Sequence, residues 1–249
     1  MLSAHLPPIQ PLLLALDTPN PEAAWQLANR LMQETPLKGF KVGMSVFYQP
    51  GGRQLLHRLH EAGAFIMLDL KLHDIPETVH RSVSALMDLP WHLLTLHALG
   101  GFDMLMAAQS VLNKAHLYRA LLGVTVLTSH SDKTLHNELG INGSVADAVI
   151  RLATMVANAG LGGVVCSPHE IAPIRNHLSP PFKLVTPGIR LADSHVQGDD
   201  QLRAATPQTA REAGADFLVV GRPILQDSDP VRACQKILDS LSTEASKHA

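Results

Sequence analysis

The stretch Phe65–Val79, FIMLDLKLHDIPETV, gathers an acid, a base and an acid at Asp69, Lys71 and Asp74. An ammonium between carboxylates is suited to proton transfer and to stabilising developing charge with fixed charge. The apolar residues Phe65, Ile66, Met67 and Leu68 read as a strand buried on both faces, and the charges fall where that strand ends. Asp69 and Lys71 are two apart, so on a pleated strand they point to the same side. Asp74 lies past the strand end, just before the Ile75-Pro76 bend that starts a helix. A solvated edge strand with a salt bridge is the plainer source of a D-x-K pattern. The preceding run is too apolar for that, and a short turn leads straight into a helix.

Toward the C-terminus, Gly188 with Arg190 and Gly221 with Arg222 have the composition of a phosphate site. Glycines let the backbone approach phosphate oxygens, free N–H groups open the helix after Gly221, and an arginine can fork two hydrogen bonds onto a dianion. The plainer alternative is a turn whose arginine is merely solvated.

These residues need a frame, and the hydrophobic pattern supplies one. Short apolar runs alternate with amphipathic segments along the whole chain, which indicates βα units and a parallel sheet. The strands are read as Leu12–Asp17, Phe40–Gly43, Phe65–Lys71, Leu93–Ala98, Leu121–Leu127, Gly163–Ser167, Phe182–Pro187 and Phe217–Gly221. Helical segments follow them, among them Glu22–Met32, Arg53–Ala62, Glu77–Met87, Val145–Ala159, Pro207–Ala213 and Pro230–Leu241. Eight such units in 249 residues predict a single α/β domain over 1–249, a (β/α)8 TIM barrel with a parallel eight-stranded core. A doubly wound open sheet is the alternative, since periodicity does not reveal closure. In a barrel the C-terminal strand ends share one face, and polar residues recur there: Asp17, Lys41, Asp69 with Lys71, His97, Thr128 with Ser129, Ser167, Arg190, and Gly221 with Arg222. The connections Ser131–Gly143 and Leu191–Gln201 exceed ordinary βα loops and are lid candidates.

A formal net charge of -2 gives no general basic excess for nucleic acid or an anionic membrane, so any anion must be bound locally. Aromatics at 4% offer no stacking platform for single strands. Cys166 and Cys234 have no C-x-x-C spacing and read as reduced, buried thiols of a cytoplasmic protein, with no export signal or membrane span. His57 with His60, and His92 with His97, lack the carboxylate partner and spacing of a zinc site, so no metal is expected. Gly160–Gly163 precedes a strand and is a helix-ending turn, not a dinucleotide loop.

The pattern D-x-K-x-x-D-I-P-x-T, at Asp69, Lys71, Asp74, Ile75, Pro76 and Thr78, closely resembles the signature of the orotidine 5'-phosphate decarboxylase family. Its D-x-K-x-x-D core is also similar to that of hexulose-phosphate synthases and keto-gulonate-phosphate decarboxylases, from which the longer form separates it. V-T-P-G-I-R at Val185–Arg190 and V-G-R-P at Val220–Pro223 resemble further motifs of the family. The resemblance implies cofactor-free decarboxylation of orotidine 5'-monophosphate (OMP) to UMP in the cytoplasm. Lys71 would be the proton donor, in a network of Lys41, Asp69, Lys71 and Asp74. It further implies that Asp17 and Lys41 hold the ribose hydroxyls and that Thr128, or Ser129 beside it, contacts the pyrimidine. Arg190, Gly221 and Arg222 would hold the phosphate. Gln201, with Gln197 as the competing choice, would bridge phosphate and base. It implies a homodimer with composite sites, in which Asp74, Ile75 and Thr78 reach the neighbouring subunit's site. Alternatives are a sugar-phosphate lyase or decarboxylase of the same barrel group, which would use a metal and be stopped by chelator, and a catalytically silent phosphate-binding barrel.

Overall fold

Eight parallel strands close on themselves in chain order: β1 Leu12–Ala15, β2 Gly39–Gly43, β3 Phe65–Leu72, β4 Leu93–His97, β5 Ala120–Val124, β6 Gly163–Val165, β7 Lys183–Thr186 and β8 Phe217–Val220. The computed structural model describes residues 10–112, 118–190 and 205–242. Closure is made by β1 against β8, with Leu13 opposite Val219, and this excludes the open doubly wound sheet. The fold is a TIM barrel.

The strand period of two divides the apolar residues into two cores. Outward-pointing Leu12, Leu14, Phe40, Val42, Ile66 and Leu68 join a cluster with helix residues such as Ala24, Leu31, Leu55 and Leu59. Their inward neighbours Leu13, Ala15, Phe65, Met67, Leu93, Leu122 and Val219 form a second cluster inside the barrel. At its N-terminal end the Phe65 ring stacks on His92 at 4.5 Å and on Phe217 at 5.6 Å, so the barrel is plugged from below. The cavity described below lies at the opposite, C-terminal end.

Among the described residues, the longest helices, Pro21–Glu34 and Val145–Asn158, begin where local chemistry supplies a cap. Asn20 Oδ1 accepts from the Ala23 N–H at 2.9 Å, with Pro21 opening the helix. Ser144 and Asp147 form a reciprocal capping box. Among the described residues, no helix is long and apolar enough to cross a membrane.

Several boundaries differ from the sequence reading. β5 ends at Val124, not Leu127, because its partner β6 runs out at Val165 directly opposite. β7 ends at Thr186, since Pro187 has no N–H to offer the ladder. β1 ends at Ala15, which leaves Asp17 beyond the strand. The connection after β5, read as an extended lid candidate, contains the helix Asp132–Asn137, whose Thr134 N–H donates to Ser131 Oγ. The other lid candidate, Leu191–Gln201, lies outside the described residues.

Candidate active site

At the open end of the barrel lies a cavity of about 570 Å³, floored by Ala15, Met67, Val165 and Val219 of the inner core. Continuing each inward series toward the C-terminal end replaces apolar residues by charged ones: Ala15 is followed by Asp17 and Met67 by Asp69, with Lys41 beside them on β2. The charges alternate around the rim. Asp17 Oδ1 lies 3.6 Å from Lys41 Nζ, Lys41 Nζ lies 3.4 Å from Asp69 Oδ2, and Lys71 Nζ donates to the same Asp69 oxygen at 2.8 Å. Gly43 lies against this row, where a Cβ would stand 3.3 Å from Lys41 Nζ and 3.5 Å from Asp17 Oδ1.

Asp69 is buried, and burial alone would raise the pKa of its carboxyl. The Lys41 and Lys71 ammoniums, with hydrogen bonds from Lys71 and Thr95, outweigh this and hold it below the usual carboxylate range. Asp69 is therefore ionised at neutral pH.

Lys71 does not continue the regular pleat. Its φ is +48°, the only positive value at a described non-glycine residue, and the β3–β4 register shifts between Leu68 and Leu72. The simple alternation read from sequence is thus broken at the residue that carries the ammonium. A non-glycine residue in this left-handed region is strained and needs support from its surroundings. That support is Thr95 on β4, fully buried, whose Oγ1 accepts the Lys71 N–H at 2.9 Å and donates to Asp69 Oδ1 at 2.9 Å. The sequence reading passed over Thr95. The available signal was its place two residues beyond inward-facing Leu93, on the same side as the cavity.

Thr128, Arg190, Gly221 and Arg222 also line the cavity, whereas Ser129 does not. Gly188, with φ +83°, makes the turn that leads to Arg190, and Arg190 N–H donates to Ala205 O at 2.9 Å. The lining holds four cations, Lys41, Lys71, Arg190 and Arg222, against two carboxylates, Asp17 and Asp69, an excess of two positive charges in a chain of formal charge -2. Such a site favours a multiply charged anion.

Asp74, Ile75 and Thr78 are exposed and do not line this chain's own cavity. The Asp74 carboxylate accepts from the Ile75 N–H at 2.7 Å, and no ion pair joins it to Lys71. Gln201 and Gln197 lie outside the described residues. His97 lines up beside Lys71, stacked on His73 at 5.4 Å. Burial, then the charges of His73, Lys71 and His130, lower its pKa to about 4, so it is neutral at physiological pH. Among the described residues, no group of three or more His, Cys, Asp or Glu converges as a metal-ligand set.

Comparison with known proteins gives this arrangement its context. Residues 10–237 match the family described as "Orotidine 5'-phosphate decarboxylase / HUMPS family". The chain is 42% identical over 233 residues to the orotidine 5'-phosphate decarboxylase of Dictyoglomus turgidum, an alignment covering 91% of this chain and 93% of the relative. It is 41% identical over 242 residues to that of Lactobacillus delbrueckii subsp. bulgaricus, covering 96% and 99%. The crystal structure of orotidine 5'-phosphate decarboxylase from Lactobacillus acidophilus superposes with a TM-score of 0.78 at 37% identity, covering 94% of this chain and 99% of that one. The chain, in its sequence, its closed barrel and its length, belongs to the orotidine 5'-phosphate decarboxylase family.

Proposed function

We propose that Lys71 stabilises the reacting carbon and delivers its proton in the decarboxylation of OMP to UMP, the reaction this chain catalyses in pyrimidine biosynthesis. The carrying observation is the single Asp69 oxygen shared by the Lys41 and Lys71 ammoniums at the cavity rim. In the reaction the bond from C6 to the carboxylate carbon breaks, CO2 departs, and the electron pair stays on C6 in the ring plane, out of reach of the π system. A fixed ammonium beside C6 stabilises that pair and then transfers a proton to it. Solvent returns the proton to Lys71.

Asp69 stands near the departing carboxylate in this scheme. Two unit charges ~5 Å apart at an effective dielectric of ~20 interact by about 3 kcal/mol, whereas enzymes lower barriers by roughly 8 to 23 kcal/mol. Repulsion thus supplies a minor share. The larger shares fall to the preorganised lysines and to phosphate binding, which uses remote contacts to organise the site. Arg190, Arg222, Gly188 and Gly221 lie together on the β7–β8 side of the cavity, which supports placing the phosphate there. Asp17 and Lys41 then face the ribose, and Thr128 faces the base. Gln201, or Gln197, would bridge phosphate and base.

We also propose a homodimer with composite sites. The exposed position of Asp74, outside its own chain's cavity, supports a role in the neighbouring site. Ile75 is 65% exposed, and Leu99, Phe102 and Met106 are exposed on or beside the helix Gly101–Leu112, which packs against Pro76–Ala85. Placement in the cytoplasm is supported by two buried, free cysteines, Cys166 and Cys234.

The activity is tested by following loss of OMP absorbance with stoichiometric CO2 and UMP. A chain that leaves OMP unchanged refutes the assignment. The shared site is tested by mixing inactive Lys71→Ala and Asp74→Asn chains. With random re-pairing, half the dimers are mixed and half their sites are whole, so about a quarter of parental activity returns. A mixture that stays inactive after mass spectrometry has verified subunit exchange rules out the shared site.

A further inference from the structure

We propose that Thr95 is a positioning residue for the decarboxylation, its hydroxyl fixing at once the orientation of the Asp69 carboxylate and the backbone from which the Lys71 ammonium projects. The proposal rests on the reading of Asp69 and Lys71 as the reacting charges.

A threonine hydroxyl has one hydrogen, and here its destination is determined. The Lys71 N–H already points at Oγ1, 2.9 Å away, so the hydroxyl proton is free to go only to Asp69 Oδ1, also at 2.9 Å. Thr95 is 0% exposed, so water does not compete for either bond. The result is a division of the carboxylate: Oδ1 is tied to β4, and Oδ2 is left for Lys41 and Lys71. A carboxylate held at one oxygen cannot rotate, which gives both ammoniums a fixed point of reference. On the other side of the same hydroxyl, the regular β3–β4 register is interrupted between Leu68 and Leu72, so the Lys71 N–H takes a side chain as its acceptor there. That bond secures the left-handed backbone at Lys71. One buried hydroxyl thus couples the acid and the base across two strands.

Thr95→Val is close to isosteric, suits a strand, and removes donor and acceptor together. The expected result is a loss of kcat of about 10- to 100-fold, the range for a hydrogen bond to a charged group, with KM for OMP within about threefold because the phosphate contacts are elsewhere. Thr95→Ser keeps the hydroxyl on the same Cβ and should stay within about threefold of the parent kcat. Thr95→Ala, which introduces no bulk, gives the same reading as valine should that variant be insoluble. Parental kcat in the valine and alanine variants, a loss confined to KM, or a serine variant as impaired as valine would each overturn the proposal. Lys71→Ala measured alongside separates the two levels. If it is inactive while Thr95→Val is fully active, only the role of Thr95 fails. If Lys71→Ala retains turnover, the reading of the reacting charges fails.

Discussion

Lys71 Nζ donates to Asp69 Oδ2 at 2.8 Å, on an oxygen that also faces Lys41 Nζ at 3.4 Å, so one buried carboxylate orders two ammoniums. Removing its charge should therefore harm the chemical step more than substrate binding. In Asp69→Asn, kcat is expected to fall about 100-fold or more, with KM for OMP unchanged or lower, since the substrate carboxylate no longer meets a like charge. Steady-state kinetics on OMP check this. A raised KM with unchanged kcat would make Asp69 a simple binding residue.

Arg222 lines the same cavity, at the start of the helix that follows β8. If its phosphate contact strengthens in the transition state, Arg222→Ala should lose at least about 100-fold in kcat/KM on OMP. The slow reaction of a substrate lacking the phosphate should change by less than about threefold. Equal losses on both substrates would assign Arg222 to the fold or the base site.

Acid sensitivity should arise at the plugged end of the barrel. His92 Nδ1 accepts the Ile66 N–H at 3.0 Å, which requires a ring unprotonated at that nitrogen. Burial, then the charges of His60 and Arg119, lower its pKa from the ordinary 6.5 to about 4. The unfolded chain takes up a proton below about 6.5 that the folded chain refuses until about 4. Its contribution to stability is therefore complete above 6.5 and is lost as pH falls toward 4; His97 acts in the same direction. Melting temperature should fall over that window, and His92→Asn, which retains an acceptor, should make the fall shallower. An unchanged slope would exclude His92 as a source.

The barrel and its charged rim were legible because both rest on short-range pattern. Apolar runs such as Leu12–Leu16 and Phe65–Leu68 read as buried strands, and in a barrel their polar successors collect at one end. Strand ends were less legible, because a ladder stops where its partner stops, as Val124 does at Val165, and the partner is set by tertiary structure. Lys71 gave no sign of its left-handed backbone, since lysine has no preference for it; the conformation is imposed from β4. Thr95 was hidden for a related reason. A threonine in a strand is ordinary, and its function lies in contacts with residues 24 and 26 positions away. Asp74 was visible as a charge; in the structure it is exposed, outside the cavity, and its carboxylate accepts from the Ile75 N–H.

With the Lys71 ammonium proposed both to stabilise C6 and to protonate it, Lys71→Ala should abolish both contributions at once. OMP turnover, followed by absorbance under saturating substrate, should fall by at least about 1,000-fold, combining loss of the proton donor and of charge stabilisation. Binding of UMP to the same variant, measured by calorimetry, should remain within about tenfold of the parent, because the phosphate and ribose contacts are retained. Turnover within about tenfold of the parent would show that Lys71 is neither the proton donor nor the main charge at C6.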